Sequence, residues 1–214
     1  MITSHQYLAD NPIDPKSERL IVGTIHPHNH NEFQVPFFYG SECSLWEILH
    51  GAFPAELPNP FHLDDIKTFL RRRKIAMSDM IWQCRRKNAS ALDKDLIPLR
   101  LNKELLDQVR QSNIQEVFFT SGFDTNAAFK LFYRNVLGRP ITKKIREDRE
   151  VTLEPALLGR SVRLRILYSP SRRALSGLSG NKQYIASMKN YRHLPTPVKA
   201  WRVDYYRQEF GKPA

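Results

Sequence analysis

The sequence predicts an α/β protein, a three-layer α/β/α sandwich around a short, mostly parallel central sheet. Three observations carry this. Short β-branched and aromatic runs alternate with longer segments of helical apolar spacing through most of the chain. The runs at 19–23, 75–81 and 116–120 are largely apolar, as strands covered on both faces must be. Two apolar runs also stop abruptly in polar, proline-containing turns. Leu20-Ile21-Val22 gives way to Gly23-Thr24-Ile25-His26-Pro27-His28-Asn29, and 162–167 gives way to Tyr168-Ser169-Pro170-Ser171-Arg172-Arg173. In an open α/β sheet, chemistry collects where loops converge on the carboxyl ends of strands. The two turns are therefore expected to form two walls of one cleft.

The elements follow in order. Residues 1–18 carry the turn pairs Asn11-Pro12 and Asp14-Pro15 and are expected to be a poorly ordered lead-in. The buried first strand at 19–23 opens into a long loop at 24–42, rich in His, Asn and aromatics. Loops of that length in a compact domain are usually functional or disordered. Residues 44–50 form a short helix with Leu45, Trp46 and Leu49 at helical spacing, and Pro54, Pro58 and Pro60 then break the chain. A helix at 62–73 puts Leu63, Ile66, Phe69 and Leu70 on one face, and its arginine tail suits the negative end of the helix dipole.

The second buried strand is 75–81. Asn102 is expected to cap a helix carrying Leu105, Leu106 and Val109. The third strand is 116–120, and Asp124 is expected to cap the helix holding Ala127, Ala128, Leu131 and Phe132. Residues 138–149 form a basic connector. Two strands, 151–158 and 162–167, are joined through Gly159-Arg160, a helix covers 181–191, and 195–208 is helical after Pro197. The whole of 1–214 is expected to be one domain, with 193–214 as its C-terminal tail.

The chain is 41% hydrophobic and 26% charged, ordinary values for a globular protein. No apolar run approaches the roughly 18 residues that span a bilayer. The N-terminus lacks the charged-then-apolar pattern of a signal peptide, so a cytoplasmic protein is expected. Two cysteines, Cys43 and Cys84, are too few for a disulfide framework or a four-cysteine zinc site and are read as free thiols. The net charge of +11 favours a polyanionic partner, with nucleic acid the first choice. The basic residues cluster at Arg71-Arg72-Arg73-Lys74, Arg85-Arg86-Lys87, Lys143-Lys144-Ile145-Arg146 and Arg172-Arg173, and two clusters are expected beside strand ends. No cofactor is expected. A His-x-His spacing in this loop suggests a metal, but no third ligand is convincingly spaced, so no metal is expected.

In order, these pieces resemble the uracil-DNA glycosylase superfamily over roughly residues 19–192. The turn GTIHPHN at 23–29 resembles its first motif. PFFYGSECSLWEIL at 36–49 looks most like the mismatch-specific and hypoxanthine-type branches. IAMSDMI at 75–81 is similar to the branch strand ending in Asp, EVFFTSGFDTNAAFKLF at 116–132 resembles the following strand–turn–helix, and LYSPSRRALS at 167–176 resembles the second catalytic motif. Each motif alone is weak, and five in register are much stronger. The family usually places Asp or Asn just before the first motif's proline, or Asn three residues before the helix tryptophan. Here those places hold His26 and Cys43.

The resemblance implies a monomeric DNA glycosylase of base excision repair, acting on uracil or hypoxanthine. Such an enzyme flips the base out of the duplex and reads its edge. Phe38 or Tyr39 would stack on the base, a contact worth about 1–3 kcal/mol, although Phe37 and Phe38 equally suit a core. Asp79, an acceptor when ionised, would receive an N–H from the base, or else cap the next loop. His26 with Asn29 would serve the water, since an imidazole accepts a proton near neutral pH. Glu42 is the nearest downstream acid. Ser169, Ser171, Arg172 and Arg173 would grip phosphates. The rival within the same fold is a protein that binds altered bases without cutting. A phosphate-handling α/β enzyme is disfavoured because no Gly-rich phosphate loop is present.

Overall fold

The computed structural model describes residues 1–87, 90 and 92–211; the last three residues of the expected tail, 212–214, lie outside them. The architecture is the expected mixed α/β one, with a mostly parallel central sheet flanked by helices. Its strands are β2 (Arg19–Gly23), β3 (Ile75–Asp79), β6 (Glu116–Phe119), β7 (Glu150–Leu153) and β8 (Val162–Ile166), in the order β3-β2-β6-β8-β7. All neighbours pair in parallel except β7, which runs antiparallel to β8 at the edge.

Alternation along these strands feeds two cores. Leu20, Val22, Val117 and Phe119 point to one side, Ile21, Phe118 and Met77 to the other. Helices α1 (Ser44–Ala52), α2 (Leu63–Arg72) and α9 (Pro197–Gly211) cover the second side. Helices α3 (Leu105–Arg110), α4 (Ala128–Lys130, continued by a π-turn at Leu131–Val136) and α5 (Lys143–Asp148) cover the first. Each fully buried side chain of this kind stabilises the fold by about 1.5–3 kcal/mol relative to exposure. Phe118, wholly buried and 4.7 Å from the ring of Phe210, joins the central strand to the C-terminal helix.

Several local expectations are corrected. Residues 1–18 are built into the protein: β1 (Ile2–Ser4) pairs with β4 (Ile81–Arg86), and His5, Tyr7 and Leu8 are buried. β4 also pairs with β5 (Leu96–Leu101), so a second, three-stranded antiparallel sheet, β1-β4-β5, was missed. Its strands are short, one contains Pro98, and the pairing shifts register at Ile81/Gln83 and Gln83/Cys84, so no clean alternation marks them. Cys84 lies inside β4, and both cysteines are buried and free. Asn102 does not cap α3. It is buried, and its side-chain amide donates to Ser78 Oγ and Asp79 O, tying β3 to the chain after β5. The helix after β6 starts at Ala128, where Ser121 Oγ rather than Asp124 accepts the free backbone N–H. The strand expected at 151–158 ends at Leu153; Pro155 starts a helical turn, α6 (Pro155–Leu158), that closes on Gly159 at φ 75°. The basic connector contains α5, begun by the Thr142 cap. The helical stretch at 181–191 is α8 (Lys182–Ser187), preceded by the short α7 (Leu175–Leu178) and followed by a 3-10 turn. No helix among the described residues is long and apolar enough to cross a membrane.

Candidate functional site at the carboxyl edge of the sheet

Loops following β2, β4, β6 and β8, with the end of β3, enclose a cleft of about 890 Å³. One wall is the 24–42 loop, the other the Tyr168–Ala174 segment, so the two turns singled out in the sequence do face each other. The floor comes from adjacent strand ends. In the parallel register Gly23 stands beside Asp79, which is buried but open to the cleft. A methyl group on Gly23 would lie 2.3 Å from Asp79 Oδ1 and 2.5 Å from the Tyr39 hydroxyl oxygen. Glycine is therefore what lets the carboxylate and the phenol approach the same point.

Asp79 is held by a residue from the N-terminal segment. Its Oδ2 lies 2.8 Å from His5 Nε2. His5 Nδ1 accepts the backbone N–H groups of Tyr7 and Leu8, at 3.1 and 3.2 Å, so the ring's proton sits on Nε2 and is donated to Asp79. Oδ1 takes no hydrogen bond among the described residues and remains the acceptor available to a ligand. Tyr39 lines the cleft with a half-buried ring. Its hydroxyl donates to Thr120 Oγ1 at 2.6 Å, and Thr120 in turn donates to Val22 O. Burial, with Asp79 adding, holds the Tyr39 phenol well above its ordinary range, so it stays protonated. Phe38 lies in the core, 1% exposed and 5.1 Å from the Phe37 ring, and is not part of the cleft. Its carbonyl accepts Trp46 Nε1–H at 2.9 Å, which fixes the aromatic loop on α1.

The histidine-rich wall is internally satisfied. His26 lines the cleft, but its Nε2 accepts the Gln6 backbone N–H at 3.0 Å and its Nδ1 lies 2.6 Å from Pro27 O. Burial, then the neighbouring His5, pushes its pKa down to about 4, so the ring is neutral at pH 7 with both nitrogens engaged. His28 Nδ1 is 2.9 Å from Thr3 Oγ1. Asn29 is exposed, donates to Glu32 Oε2 at 2.7 Å and lies outside the cleft lining. Among the described residues no group of three or more His, Cys, Asp or Glu is placed to hold a metal ion.

A carboxylate absent from the sequence reading stands in the same cleft. Asp93, in the turn before β5, takes the Thr24 hydroxyl on Oδ2 at 3.0 Å, and Thr24 Oγ1 is 3.2 Å from Ser121 Oγ. Asn126 pins the turn by donating to Asp93 O and Leu96 O. Burial raises the Asp93 pKa to about 6; the Thr24 hydrogen bond opposes this and the charge of Asp79 adds to it. Nothing local distinguishes Asp93 from the sequence's other surface acids. Its signal would have been the β4–β5 hairpin, which carries it back over the strand ends. His5 was missed because its segment was read as a lead-in.

The opposite wall is latched by α9. Buried Arg202 donates to Ser169 O and Ser171 O at 3.1 and 2.9 Å, and the Tyr206 hydroxyl donates to Tyr168 O at 2.8 Å. Ser169, Ser171 and Arg173 line the cleft, whereas Arg172 turns away to Glu47 Oε1 at 2.6 Å. Most of the basic clusters lie away from the cleft. Lys74 directly precedes β3, which places Arg71–Lys74 at the amino edge of the sheet, where Arg73 pairs with Glu56 and Lys74 with Glu18. Arg86 is interior, donating to Thr3 Oγ1, Ser90 O and His26 O. Lys143 and Lys144 pair with Glu147 and Asp148 one helical turn on. Among the described residues the cations lining the cleft are Lys94, Arg149 and Arg173.

No family model matches the chain, and no curated protein matches it. Among solved structures, the chain is similar to the solution NMR structure of a "putative Uracil DNA glycosylase" from Methanosarcina acetivorans, with 14% sequence identity, 97% of this chain and 98% of that chain covered, and a TM-score of 0.49.

Proposed function

We propose that this protein is a DNA glycosylase that hydrolyses the N-glycosidic bond of a deaminated base, uracil or hypoxanthine, flipped out of DNA. The observation that carries this reading is the cleft floor, where an acceptor-only carboxylate and an aromatic ring meet at adjacent strand ends between two loops. A flipped base needs a pocket that reads its edge and covers its face. Asp79 Oδ1 would accept a ring N–H, with His5 holding the other oxygen in place. Tyr39 would pack on the base, in a cleft whose volume suits a small ligand group. Ser169, Ser171 and Arg173 would meet the flanking phosphates, and the net charge of +11 favours DNA as partner. In this reading the enzyme acts as a monomer in base excision repair and needs no cofactor.

One observation favours a second reading, a base reader that does not cut. His26 occupies the place of the family's usual Asp or Asn, and both its nitrogens are engaged. One assay separates the two. Labelled duplexes carrying a single uracil, hypoxanthine or xanthine are incubated with the protein and then treated with alkali. The glycosylase reading expects strand breakage at uracil or hypoxanthine, lost on Asp79→Ala. Tight, salt-sensitive binding without breakage would establish the reader instead.

A further inference from the structure

We propose that Asp93 is the proton acceptor for the attacking water, taking over the task that the first motif leaves unfilled; this rests on the glycosylase reading above. Among the described residues four acids line the cleft: Glu42, Asp79, Asp93 and Asp124. Glu42 and Asp124 are exposed, and Asp79 is committed to His5 on one oxygen and to the base on the other. Asp93 alone of the four is half-buried and anchored through both side chain and backbone, its carboxylate held by the neutral hydroxyls of Thr24 and Ser121 rather than by a charged partner.

The groups facing Asp93 come from every element around it. Thr24 follows β2, Asp79 ends β3, Arg86 ends β4, Ser121 follows β6, and Tyr39 comes from the aromatic loop. Burial outweighs the lowering by Thr24, Ser121 and Arg86, and Asp79 adds to it, which leaves the pKa at about 6, so the carboxylate is ionised at pH 7 yet basic enough to take a proton. As the bond between C1′ and the base nitrogen breaks, its electron pair leaves with the base. Water oxygen bonds to C1′ and one water proton passes to Asp93. That proton then returns through solvent to the departing base. The products are the free base and an abasic sugar with a C1′ hydroxyl. No other reactant is needed. The negative charge also favours the cationic sugar of the transition state, which neutral His26 does not.

The test uses the full chain and the lesion duplex that wild-type protein cuts. Asp93→Asn should lower the single-turnover rate by about 100-fold or more, the usual weight of a general base, with lesion-duplex affinity kept within about threefold. Asp93→Glu should restore part of the rate. For the wild type, the rate should fall about tenfold per pH unit below about pH 6, and Asp93→Asn should lose that limb. The wild-type profile is informative even if the variant does not fold, because a flat rate through pH 6 overturns the assignment. Cutting by Asp93→Asn at near wild-type rate overturns the assignment alone. Wild-type protein that cuts no lesion overturns the glycosylase reading and this assignment with it.

Discussion

Two segments border the same cleft and differ in every respect that matters for chemistry. The 24–31 loop holds three histidines and two asparagines, yet its polar groups are spent on the protein itself: His26 on Gln6 and Pro27, His28 on Thr3, Asn29 on Glu32. The Asp93 turn holds an ordinary acidic tripeptide, Asp93-Lys94-Asp95, yet it places a carboxylate of raised pKa over the strand ends. The difference teaches that residue type marks capacity, while hydrogen-bond occupancy marks availability. A base whose lone pair already accepts a backbone N–H cannot take a proton without breaking that bond.

Arg86 connects the two segments, and removing it should have the largest effect. Its buried guanidinium bridges His26 O and Ser90 O, at 2.6 and 2.9 Å, and also holds Thr3. Arg86→Ala should destabilise the fold by about 3 kcal/mol, because buried acceptors lose their donor. Denaturant titration of the variant with an unchanged midpoint would show that the two segments are independently held.

Acid stability separates the segments next. His26 has a folded pKa of about 4 against an ordinary 6.5, so the unfolded chain takes the proton first. Its contribution, roughly 3 kcal/mol, is present above about pH 6.5 and lost as pH falls to about 4. Asp93 has the opposite sign. Its folded value of about 6 lies above the ordinary 3.8, so the native state takes the proton first and gains stability as pH falls from about 6 to about 4. The two oppose each other over one window. Asp93→Asn should therefore make the loss of stability between pH 6.5 and 4 steeper than in wild type. Unfolding curves at stepped pH that run parallel for both proteins would contradict the assignment of the two shifts.

Gly23→Ala tests the shared floor. The added methyl must displace Asp79 or Tyr39, at a cost of about 1–3 kcal/mol for overpacking. Lesion-duplex affinity should fall with it, and a variant with wild-type affinity and melting temperature would show that the floor yields freely.

The smallest effect concerns phosphate grip. Arg173→Ala should reduce the salt slope of duplex binding by about one. Arg172→Ala should change it less, since Glu47 already neutralises that guanidinium. Equal slopes for the two variants would mean that the Arg172–Glu47 pair opens on DNA.

The central sheet and most of its flanking helices were legible in the sequence because parallel strands buried on both faces leave apolar runs, and amphipathic helices leave a 3.6-residue stripe. The facing of the two polar turns was legible for the same reason, since strand order along the chain puts their carboxyl ends on one edge. The second sheet was not, because β1, β4 and β5 are short, half-exposed and held by pairing partners far apart in the chain, as Ile2 with Arg85 shows. Asp79 could be marked by its place at the end of an apolar run. That His5 holds it, that Asp93 shares its cleft, that Phe38 lies in the core and that Arg172 is paired were decided by tertiary structure alone. Composition and spacing determine which groups a chain owns and which elements carry them. Long-range packing determines which donors and acceptors find partners inside the protein, and so which are left for a ligand.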